Sequence, residues 1–455
     1  MRATGAGSGG AGKWQLGLEW GFVAAIVGFL IYSYIYFLDA GYLPLPFFPD
    51  PNDVYADGYS SAWWAWNGRM YDEWRSVYPP FSFVLLKLIS FKTCYYGTVF
   101  EARDCDWMLW SIMLGFYVLN GALAYLTFRK LDRSTAAPRA IAFSLGLSTL
   151  YSFEHLNLLI IAWTGMILAF SPIVRSARLR WVAIAIAINL KPYMLGLLLG
   201  ELIRRRWRWV EGALIATVSL YVISYILVGG SPAEIWRNIT IFSDDPERSS
   251  SFQFVIYASS YTSMIQFVNT MALPMVSMLG SWTIEFWSTA FMVLIRIVQL
   301  ATIFTFAMAW YRPEAIPRHR IPSMALLLLL ISTEPGGYTI AGSVFFVFFE
   351  RFRDWRLGVA IICAYLQCIA ADIHLFPIGS RVVYGYLAGH DVLYYGWVTL
   401  GPFVRPGLLI ITQLMLISVT ITAIRRWQVA NATDPSSPQP VSGNLTGARH
   451  ASTHP

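Results

Sequence analysis

The sequence predicts an all-α polytopic membrane protein, and three observations support this fold class. Of the 455 residues, 56% are hydrophobic and only 13% are charged, whereas roughly a quarter of the residues in a soluble domain are charged. Apolar runs long enough to span a bilayer recur along the whole chain. The basic residues fall in short tracts between these runs, as they do in cytoplasmic loops. The net charge of +7 therefore reflects membrane topology, and we expect no nucleic-acid partner.

Short basic tracts mark the predicted cytoplasmic ends of about twelve transmembrane helices. They lie at residues 129–133, 175–180, 204–206, 318–320, 351–356 and 425–426. Between successive tracts the apolar sequence is long enough to cross the bilayer out and back. Both termini are then cytoplasmic, with residues 1–14 as an N-terminal tail and 427–455 as a disordered tail rich in Ser, Thr, Pro and Gly. We expect this chain in a bacterial inner (plasma) membrane.

The predicted helices follow one another within a single domain, residues 15–426. In order they lie near 16–38, 107–128, 138–153, 156–173, 181–190, 192–203, 209–228, 283–311, 321–333, 338–350, 357–371 and 405–424. Several are shorter than the roughly 20 residues that a full span needs. These helices either continue through the polar turns between them or break at the external face.

Three long outer loops hold most of the polar residues, at about 39–106, 229–282 and 372–405. The first loop contains a short apolar segment, Phe81 to Phe91, which we predict to be a re-entrant or interfacial helix whose lysines reach the headgroups. A second short apolar piece, Ser263 to Leu279, lies in the second loop. Cys94 and Cys105 flank a predicted external loop and could form a disulfide if that side of the membrane is oxidising. Cys363 and Cys368 are predicted to be core residues.

Two cations stand inside apolar sequence, where charge is costly and is usually retained for function. Lys191 lies in Leu190-Lys191-Pro192-Tyr193, at the external junction of two apolar segments. A lysine there would meet the phosphate of a lipid in the outer leaflet, although a lysine that simply reaches the interface is the alternative. Arg296 is the only charge deep within its apolar run, and we expect it to face the bundle interior.

Candidate carboxylates gather in the first outer loop. Asp53 and Asp57 both lie just before a predicted helix start at the membrane interface. Either could act as a general base at a half-buried site, and the sequence does not decide between them. For the remaining acidic residues, including Asp72 and Glu73, solvation of a wet loop is the favoured interpretation.

Three turns carry further candidate substrate-binding residues. Tyr78-Pro79-Pro80-Phe81 would start the re-entrant helix and fix its direction, because consecutive prolines restrict φ. The Glu154-His155-Leu156-Asn157 turn could bind sugar hydroxyls or simply cap the next helix. The Thr333-Glu334-Pro335-Gly336-Gly337-Tyr338 turn adds Glu334, Tyr338 and glycines that permit close approach of a ligand. The chain has no Walker A loop, no Rossmann glycine motif and no clustered metal-ligand motif. We therefore predict no cofactor, while a divalent metal stays possible.

The order of these motifs carries a resemblance. An acidic first outer loop, Tyr78-Pro79-Pro80-Phe81, His155-Leu-Asn157-Leu-Leu, and Leu190-Lys191-Pro192-Tyr193 followed by an Arg-rich turn occur in one sequence. Over residues 15–425 this resembles the polyprenyl-phosphate-mannose-dependent mannosyltransferases, integral membrane glycosyltransferases of the GT-C fold. The resemblance implies a GT-C bundle that transfers a sugar, with inversion, from a polyprenyl-phosphate donor to a lipid-linked or cell-envelope glycan acceptor at the external face.

The resemblance also implies residue roles. The general base would be Asp53 or Asp57, and Lys191 would bind the donor phosphate. Apart from the resemblance, we also expect Tyr193 and Arg296 to contact the donor phosphate. Asn157 matches the family turn, but the turn at 333–338 keeps only the proline of the family pattern. The donor sugar is therefore open between mannose and another hexose or a pentose. Two alternatives remain: a transporter of lipid-linked sugars, and a ligase or polymerase that uses lipid diphosphates.

Overall fold

The computed structural model describes residues 9–47, 50–244, 257–269 and 280–432. The helices within these ranges, in order, are α1 (Gly9–Ala40), α2 (Ala56–Asn67), α3 (Pro80–Leu88), α4 (Val99–Cys105), α5 (Trp107–Leu131), α6 (Ala136–Leu145), α7 (Leu147–Glu154), α8 (Leu159–Phe170), α9 (Ala177–Leu190), α10 (Leu199–Ile203), α11 (Trp207–Val228), α12 (Pro232–Asp244), α13 (Tyr261–Asn269), α14 (Ser281–Tyr311), α15 (Arg320–Ser332), α16 (Ile340–Val347), α17 (Trp355–Leu366) and α18 (Gly401–Ala432). Short 3₁₀ turns at Pro192–Leu198 and Gly337–Thr339 lead into α10 and α16.

Five helices in the described ranges are long and apolar enough to cross a membrane, namely α1, α5, α11, α14 and α18. The protein is therefore embedded in a membrane, as the sequence predicts. Helix α1 begins inside the predicted N-terminal tail, and α18 extends through Ala432, past the predicted limit at residue 426. Residues 433–455 of the predicted tail, and 270–279 of the apolar piece in the second outer loop, lie outside the described residues.

The basic tracts gather at one end of the bundle, which we name the basic side. Arg351 donates to the carbonyl of Leu131 at 2.7 Å, and Arg205 donates to the carbonyl of Trp310 at 3.2 Å. Ile424 packs with apolar residues beside the tracts at 204–206 and 318–320. This common location is what the positive-inside pattern predicts for helices that share one cytoplasmic face.

A buried ionic network joins five segments on the basic side. Arg139 of α6 pairs with Glu19 of α1 at 2.8 Å and donates to the carbonyl oxygen of Glu350 at 2.8 Å. The Glu350 carboxylate in turn accepts from Arg320 of α15 at 2.6 and 2.7 Å. Tyr365 also donates to Glu19, at 2.9 Å. Because every charge in this network is paired and hydrogen-bonded, it can remain within the apolar core.

Several apolar helices are too short to cross a bilayer, and one hydrogen bond shows where α15 ends. Gln299 Nε2 of α14 donates to Ser332 Oγ, at the end of α15, at 2.8 Å. Gln299 lies about 18 Å along the helix axis from Tyr311, at about 1.5 Å per residue. Helix α14 continues past this level for about 27 Å towards Ser281. The turn after α15 is therefore recessed below the far end of the bundle.

The core between the short helices is aromatic. Trp163 of α8 is fully buried and faces α16 at Gly342. A Cβ at Gly342 would lie 2.7 Å from the Trp163 ring, so the glycine permits this close helix contact. Both Cys363 and Cys368 are buried free thiols, which confirms their prediction as core residues.

The opposite end, which we name the loop side, carries α2, α3, α4 and an unpredicted β-hairpin. Strand β1 (His374–Gly385) pairs antiparallel with β2 (His390–Thr399), so the third outer loop departs from the all-α expectation. Arg381 of β1 pairs with Asp50 at 3.0 Å, and Arg405 pairs with Asp372 at the base of the hairpin at 2.6 Å. The first contact holds the hairpin against the first outer loop, and the second joins its base to α18.

Candidate functional site

Five polar turns meet at the recessed level on the loop side. They are the first turn of α2, the residues before α3, the α7–α8 turn, the junction after α9, and the 3₁₀ turn before α16. Each ends a helix or starts one, so its polar side chains project from a helix end into the same region. Most of the residues that the sequence singles out lie here.

Four predicted residues form one connected chain. Asn157 Nδ2 donates to Asp57 Oδ2 at 3.1 Å and to Tyr78 Oη at 3.4 Å. Lys191 Nζ also donates to Tyr78 Oη, at 3.4 Å. The chain therefore runs from a half-buried carboxylate, through an amide and a phenol, to a buried ammonium group.

Close backbone contact brings Asp57 to this chain. Tyr55 N donates to the carbonyl of Glu154 at 2.7 Å, and Gly58 N donates to the carbonyl of His155 at 3.2 Å. A Cβ at Gly58 would lie 2.7 Å from the carbonyl oxygen of Leu156. Leu156 itself has a φ of 52°, a conformation that costs energy for a leucine and is often retained at functional sites.

Lys191 is held between two aromatic rings. It follows the last residue of α9 in an extended conformation, and Pro192 begins the next turn. Its ammonium lies 4.5 Å from the Tyr78 ring centroid and 5.5 Å from that of Tyr338. Within the described residues, no carboxylate oxygen lies within 4.0 Å of Nζ.

Burial lowers the pKa of Lys191 to about 8, against the opposing effect of the Asp57 charge. The side chain is only 8% exposed. Burial disfavours the charged form of a lysine, and the aromatic faces only partly replace its hydration. A bound anion would supply the missing counter-charge. This makes Lys191 the strongest candidate for an anion-binding residue.

An aromatic wall lies beside the chain. Tyr338 is near Tyr151 at 6.2 Å between ring centroids, and the His155 ring lies 4.1 Å from that of Tyr151. Tyr193 Oη is 3.0 Å from Thr339 Oγ1, which places the predicted donor-binding tyrosine at the edge of the same region. Burial lowers the pKa of His155, but the Glu154 carboxylate and the Asp57 charge outweigh it, so the pKa is raised.

Asp53 does not belong to the hydrogen-bonded chain. It lies in the turn that precedes α2, where its backbone N donates to the carbonyl of Asp50 at 2.9 Å. Burial and the charges of Asp50 and Asp57 raise the pKa of Asp53 to about 6. Of the two aspartates that the sequence leaves open, Asp57 is the one next to Asn157 and Tyr78.

The prolines of the Tyr78 motif start α3. Pro79 is extended, with a φ of −62° and a ψ of 159°, and Pro80 is the first residue of the helix. The carbonyl of Tyr78 accepts from the Tyr71 hydroxyl at 3.1 Å. The two prolines therefore fix the backbone that carries Tyr78, and no side-chain hydrogen bond is possible from them.

Glu334, predicted to bind substrate, holds a neighbouring segment instead. Its carboxylate accepts from Ser259 N and Ser259 Oγ, both at 2.8 Å, and from Ser260 N at 3.0 Å. Burial raises the pKa of Glu334 to about 7, while these hydrogen bonds oppose the rise. The contacts attach the start of α13 to the turn after α15.

Arg296 lies outside the site, and the prediction that it faces the bundle interior is wrong. Its side chain is on the exposed face of α14, where Nη1 donates to Gln299 Oε1 at 3.0 Å. An apolar run shows that a helix is present, but a helix that is apolar all round gives no indication of which side faces its neighbours.

One residue that holds the first outer loop was not predicted from the sequence. Arg103 of α4 donates to the carbonyl of Val54 at 3.0 Å and to Asn52 Oδ1 at 3.3 Å. Its guanidinium lies 3.6 Å from the Tyr386 ring centroid in the hairpin turn. The Cys94–Cys105 disulfide closes the segment that carries Arg103, so the possible disulfide was the available signal.

No group of three or more potential metal ligands occurs in the described ranges. Comparisons with protein-family models, curated proteins and solved structures found no match. A function for this chain therefore rests on the chemistry of the Asp57–Asn157–Tyr78–Lys191 chain of hydrogen bonds and on the resemblance carried by the motifs.

Proposed function

We propose that this protein is a membrane glycosyltransferase that moves a sugar from a polyprenyl-phosphate donor to a lipid-linked or glycan acceptor. One observation carries the proposal: a half-buried carboxylate and a buried cation stand at the two ends of the Asp57–Asn157–Tyr78–Lys191 chain. Displacement of a lipid phosphate from a sugar needs a base for the attacking hydroxyl and a cation for the leaving group.

Lys191 is proposed to bind the donor phosphate. A phosphate oxygen next to Nζ would provide the counter-charge that the described neighbours of Lys191 do not. The leaving group gains negative charge as its bond to the sugar breaks. A preorganised cation in a water-poor region stabilises this developing charge more strongly than a solvated one. Tyr78 and Tyr338 would keep water from the ammonium on two sides.

Asp57 is proposed to be the general base. The acceptor hydroxyl attacks the anomeric carbon, the bond from that carbon to the phosphate oxygen breaks, and the hydroxyl proton passes to Asp57. Asn157 orients the carboxylate through its amide hydrogen bond. Direct displacement at one carbon gives inversion of configuration at the sugar.

The recessed level of the site suits a lipid substrate. The turn after α15 lies level with Gln299, inside the length of α14, and Tyr338 and Thr339 follow that turn. A polyprenyl chain is confined to the bilayer, so its phosphate would reach Lys191 without leaving the membrane. An acceptor would approach from the loop side, where α2 carries Asp57.

A reconstituted transfer assay tests the proposal. With a labelled polyprenyl-phosphate sugar and cell-envelope acceptors, Lys191→Met and Asp57→Asn should each lower the transfer rate by at least about 100-fold. Arg178→Met and Asp72→Asn remove the same charges from exposed positions, and both should keep the wild-type rate. Near-normal transfer by either site variant refutes the assignment, and protein-dependent movement of labelled donor without product would indicate a transporter.

We further propose a GT-C topology of about twelve spans, with the basic side cytoplasmic and the loop side external. The gathering of the basic tracts at one end supports this orientation. Cysteine labelling in intact bacterial cells tests this orientation. A single cysteine replaces either Lys13 or Asp391 in a variant whose four native cysteines, Cys94, Cys105, Cys363 and Cys368, are serine. An impermeant maleimide should label only the position at Asp391, and labelling of the position at Lys13 alone would reverse the topology.

A further inference from the structure

A charged side chain lies on the outward face of a membrane span, away from the site above. Arg296 of α14 is exposed, and it donates a hydrogen bond to Gln299 Oε1 at 3.0 Å. In the described part of the chain, no carboxylate oxygen lies within 4.0 Å of its guanidinium. A guanidinium that faces hydrocarbon needs a counter-charge or a polar surface to reach.

The depth of Arg296 in the bilayer follows from the aromatic residues of α14. Exposed Trp282 and Trp287 near one end and Tyr311 at the other mark the two membrane interfaces. Trp287 and Tyr311 are separated by about 36 Å along the helix axis, a little more than the hydrocarbon thickness. Arg296 lies about 13 Å from Trp287. Because helical side chains lean towards the helix N-terminus, the guanidinium is on the Trp287 side of the membrane centre.

A groove of 420 Å³ lies beside Arg296. Its lining in the described ranges comes from one stripe of α14, with Ser288 and Thr289 at the Trp287 end and Met292, Ile297 and Leu300 deeper. Hydroxyls above a cation, with aliphatic groups below it, match the order of polar and apolar parts in a phospholipid. The groove therefore offers both charge and chain complementarity to one lipid molecule.

We propose that this groove binds one anionic phospholipid, with the lipid phosphodiester on Arg296 and an acyl chain along the aliphatic stripe. One guanidinium balances the single charge of a phosphodiester, and its planar donors fit two phosphate oxygens. Gln299 connects the site to Ser332, so the bound lipid would brace the end of α15. The proposal does not depend on the glycosyltransferase activity.

Native mass spectrometry of the full-length protein in detergent tests this site with phosphatidylglycerol as the probe. The wild type should retain one phosphatidylglycerol, and Arg296→Met should weaken its apparent Kd by about tenfold or more. Ile297→Trp fills the groove without removing the charge and should weaken binding similarly. Lys191→Met and Arg178→Met should bind as the wild type does.

Several results would overturn the proposal. Arg296→Met or Ile297→Trp could retain phosphatidylglycerol as well as the wild type does. The wild type could also bind zwitterionic phosphatidylcholine as tightly as phosphatidylglycerol. A polyprenyl phosphate that displaces phosphatidylglycerol at equal concentration would also reject the phospholipid as the occupant. Loss of sugar transfer in Lys191→Met leaves all of these measurements unchanged, so the two proposals fail separately.

Discussion

Replacing Lys191 by methionine should abolish sugar transfer and yet make the unliganded protein more stable. The ammonium group is buried against two aromatic rings, and no carboxylate of the described residues lies within 4.0 Å of it. Methionine fills a similar space with a flexible apolar chain. Stability and activity should therefore change in opposite directions at this one position.

The magnitude follows from the pKa of the buried lysine. Burial lowers this pKa from 10.5 to about 8, and one pKa unit corresponds to about 1.4 kcal/mol. The protonated side chain then destabilises the folded state by about 3 kcal/mol at pH 7. Contacts with the Tyr78 and Tyr338 rings offset about 1–2 kcal/mol of this cost. We expect Lys191→Met to raise the free energy of unfolding by about 1–2 kcal/mol.

The sign of the pH dependence is fixed by the direction of the shift. A lowered lysine pKa means that the unfolded chain binds more protons between pH 8 and 10.5, so this contribution to stability improves as the pH rises. The penalty is complete below pH 8 and decreases above it. The difference between Lys191→Met and the wild type should therefore be largest at pH 7 and clearly smaller at pH 9.5.

Unfolding by denaturing detergent in mixed micelles at pH 7 and pH 9.5 measures both effects. Lys87→Met is the matched control, because Lys87 is only half-buried and its ammonium lies 5.7 Å from the Trp66 ring centroid. This substitution should change the free energy of unfolding by no more than about 0.5 kcal/mol. If Lys191→Met instead destabilises the protein at pH 7, Lys191 is a structural cation with a compensating partner. That result would refute the reasoning.

Three further predictions concern the same region. Gly58→Ala should destabilise the protein by about 1–3 kcal/mol and slow transfer in the reconstituted assay. The reason is that the alanine Cβ would lie 2.7 Å from the carbonyl oxygen of Leu156. An unchanged transfer rate would contradict this prediction. Cys94→Ser combined with Cys105→Ser should cost about 2–3 kcal/mol in thermal unfolding, and reductant should lower the wild type to the same value. At donor concentrations well below KM, the transfer rate should fall as the pH rises through about 8, when Lys191 of the free enzyme loses its proton, and Lys191→Arg should remove that fall.

The sequence predicts the helical membrane class because that class depends on local properties. The lengths of the apolar runs and the spacing of the basic tracts can be determined directly from the sequence, and the described helices agree with both. The short helices on either side of Lys191 are also readable, since a charge followed by Pro192 interrupts an apolar run. The junctions between short helices are where the structure brings Asp57, Asn157, Tyr78 and Lys191 together.

The choice between Asp53 and Asp57 is not local. Both lie close to the predicted helix start, Asp53 before α2 and Asp57 in its first turn, and their spacing to neighbouring motifs is uninformative. Gly58 decides it, because the missing side chain lets α2 approach the turn at Leu156 closely, so that the residue before Gly58 reaches Asn157. The reason for a glycine at position 58 becomes clear only from the structure, which shows Leu156 packed against it.

The β-hairpin was not predicted and the orientation of Arg296 was predicted wrongly, for different reasons. The hairpin carries ordinary strand signals: β-branched and aromatic residues on both sides of Gly389, in a segment read only as an outer loop. Arg296 carries no such signal, because a helix that is apolar on all sides has no preferred inward face. Its position depends on which neighbours α14 packs against.

A buried lysine with a pKa of about 8 should take up a proton when an anion binds. A donor phosphodiester keeps its single negative charge across the working range, so any proton must go to the protein. A phosphate next to Nζ raises the lysine pKa, and at pH 8 donor binding should take up about half a proton. At pH 6.5 the lysine is already charged, and the uptake should be near zero.

Calorimetry of donor binding in buffers of different ionisation enthalpy measures this uptake. Lys191→Arg is the decisive control, because arginine stays charged at pH 8 and should bind the donor without taking up a proton. Equal uptake by Lys191→Arg would assign the proton to another group, such as His155. Uptake that is absent from the wild type at pH 8 would mean that the phosphate does not contact Lys191. Lysine can gain or lose its charge in this pH range, and arginine cannot. Proton uptake therefore distinguishes a lysine whose counter-charge is the bound phosphate from a lysine that already has an ionic partner in the protein.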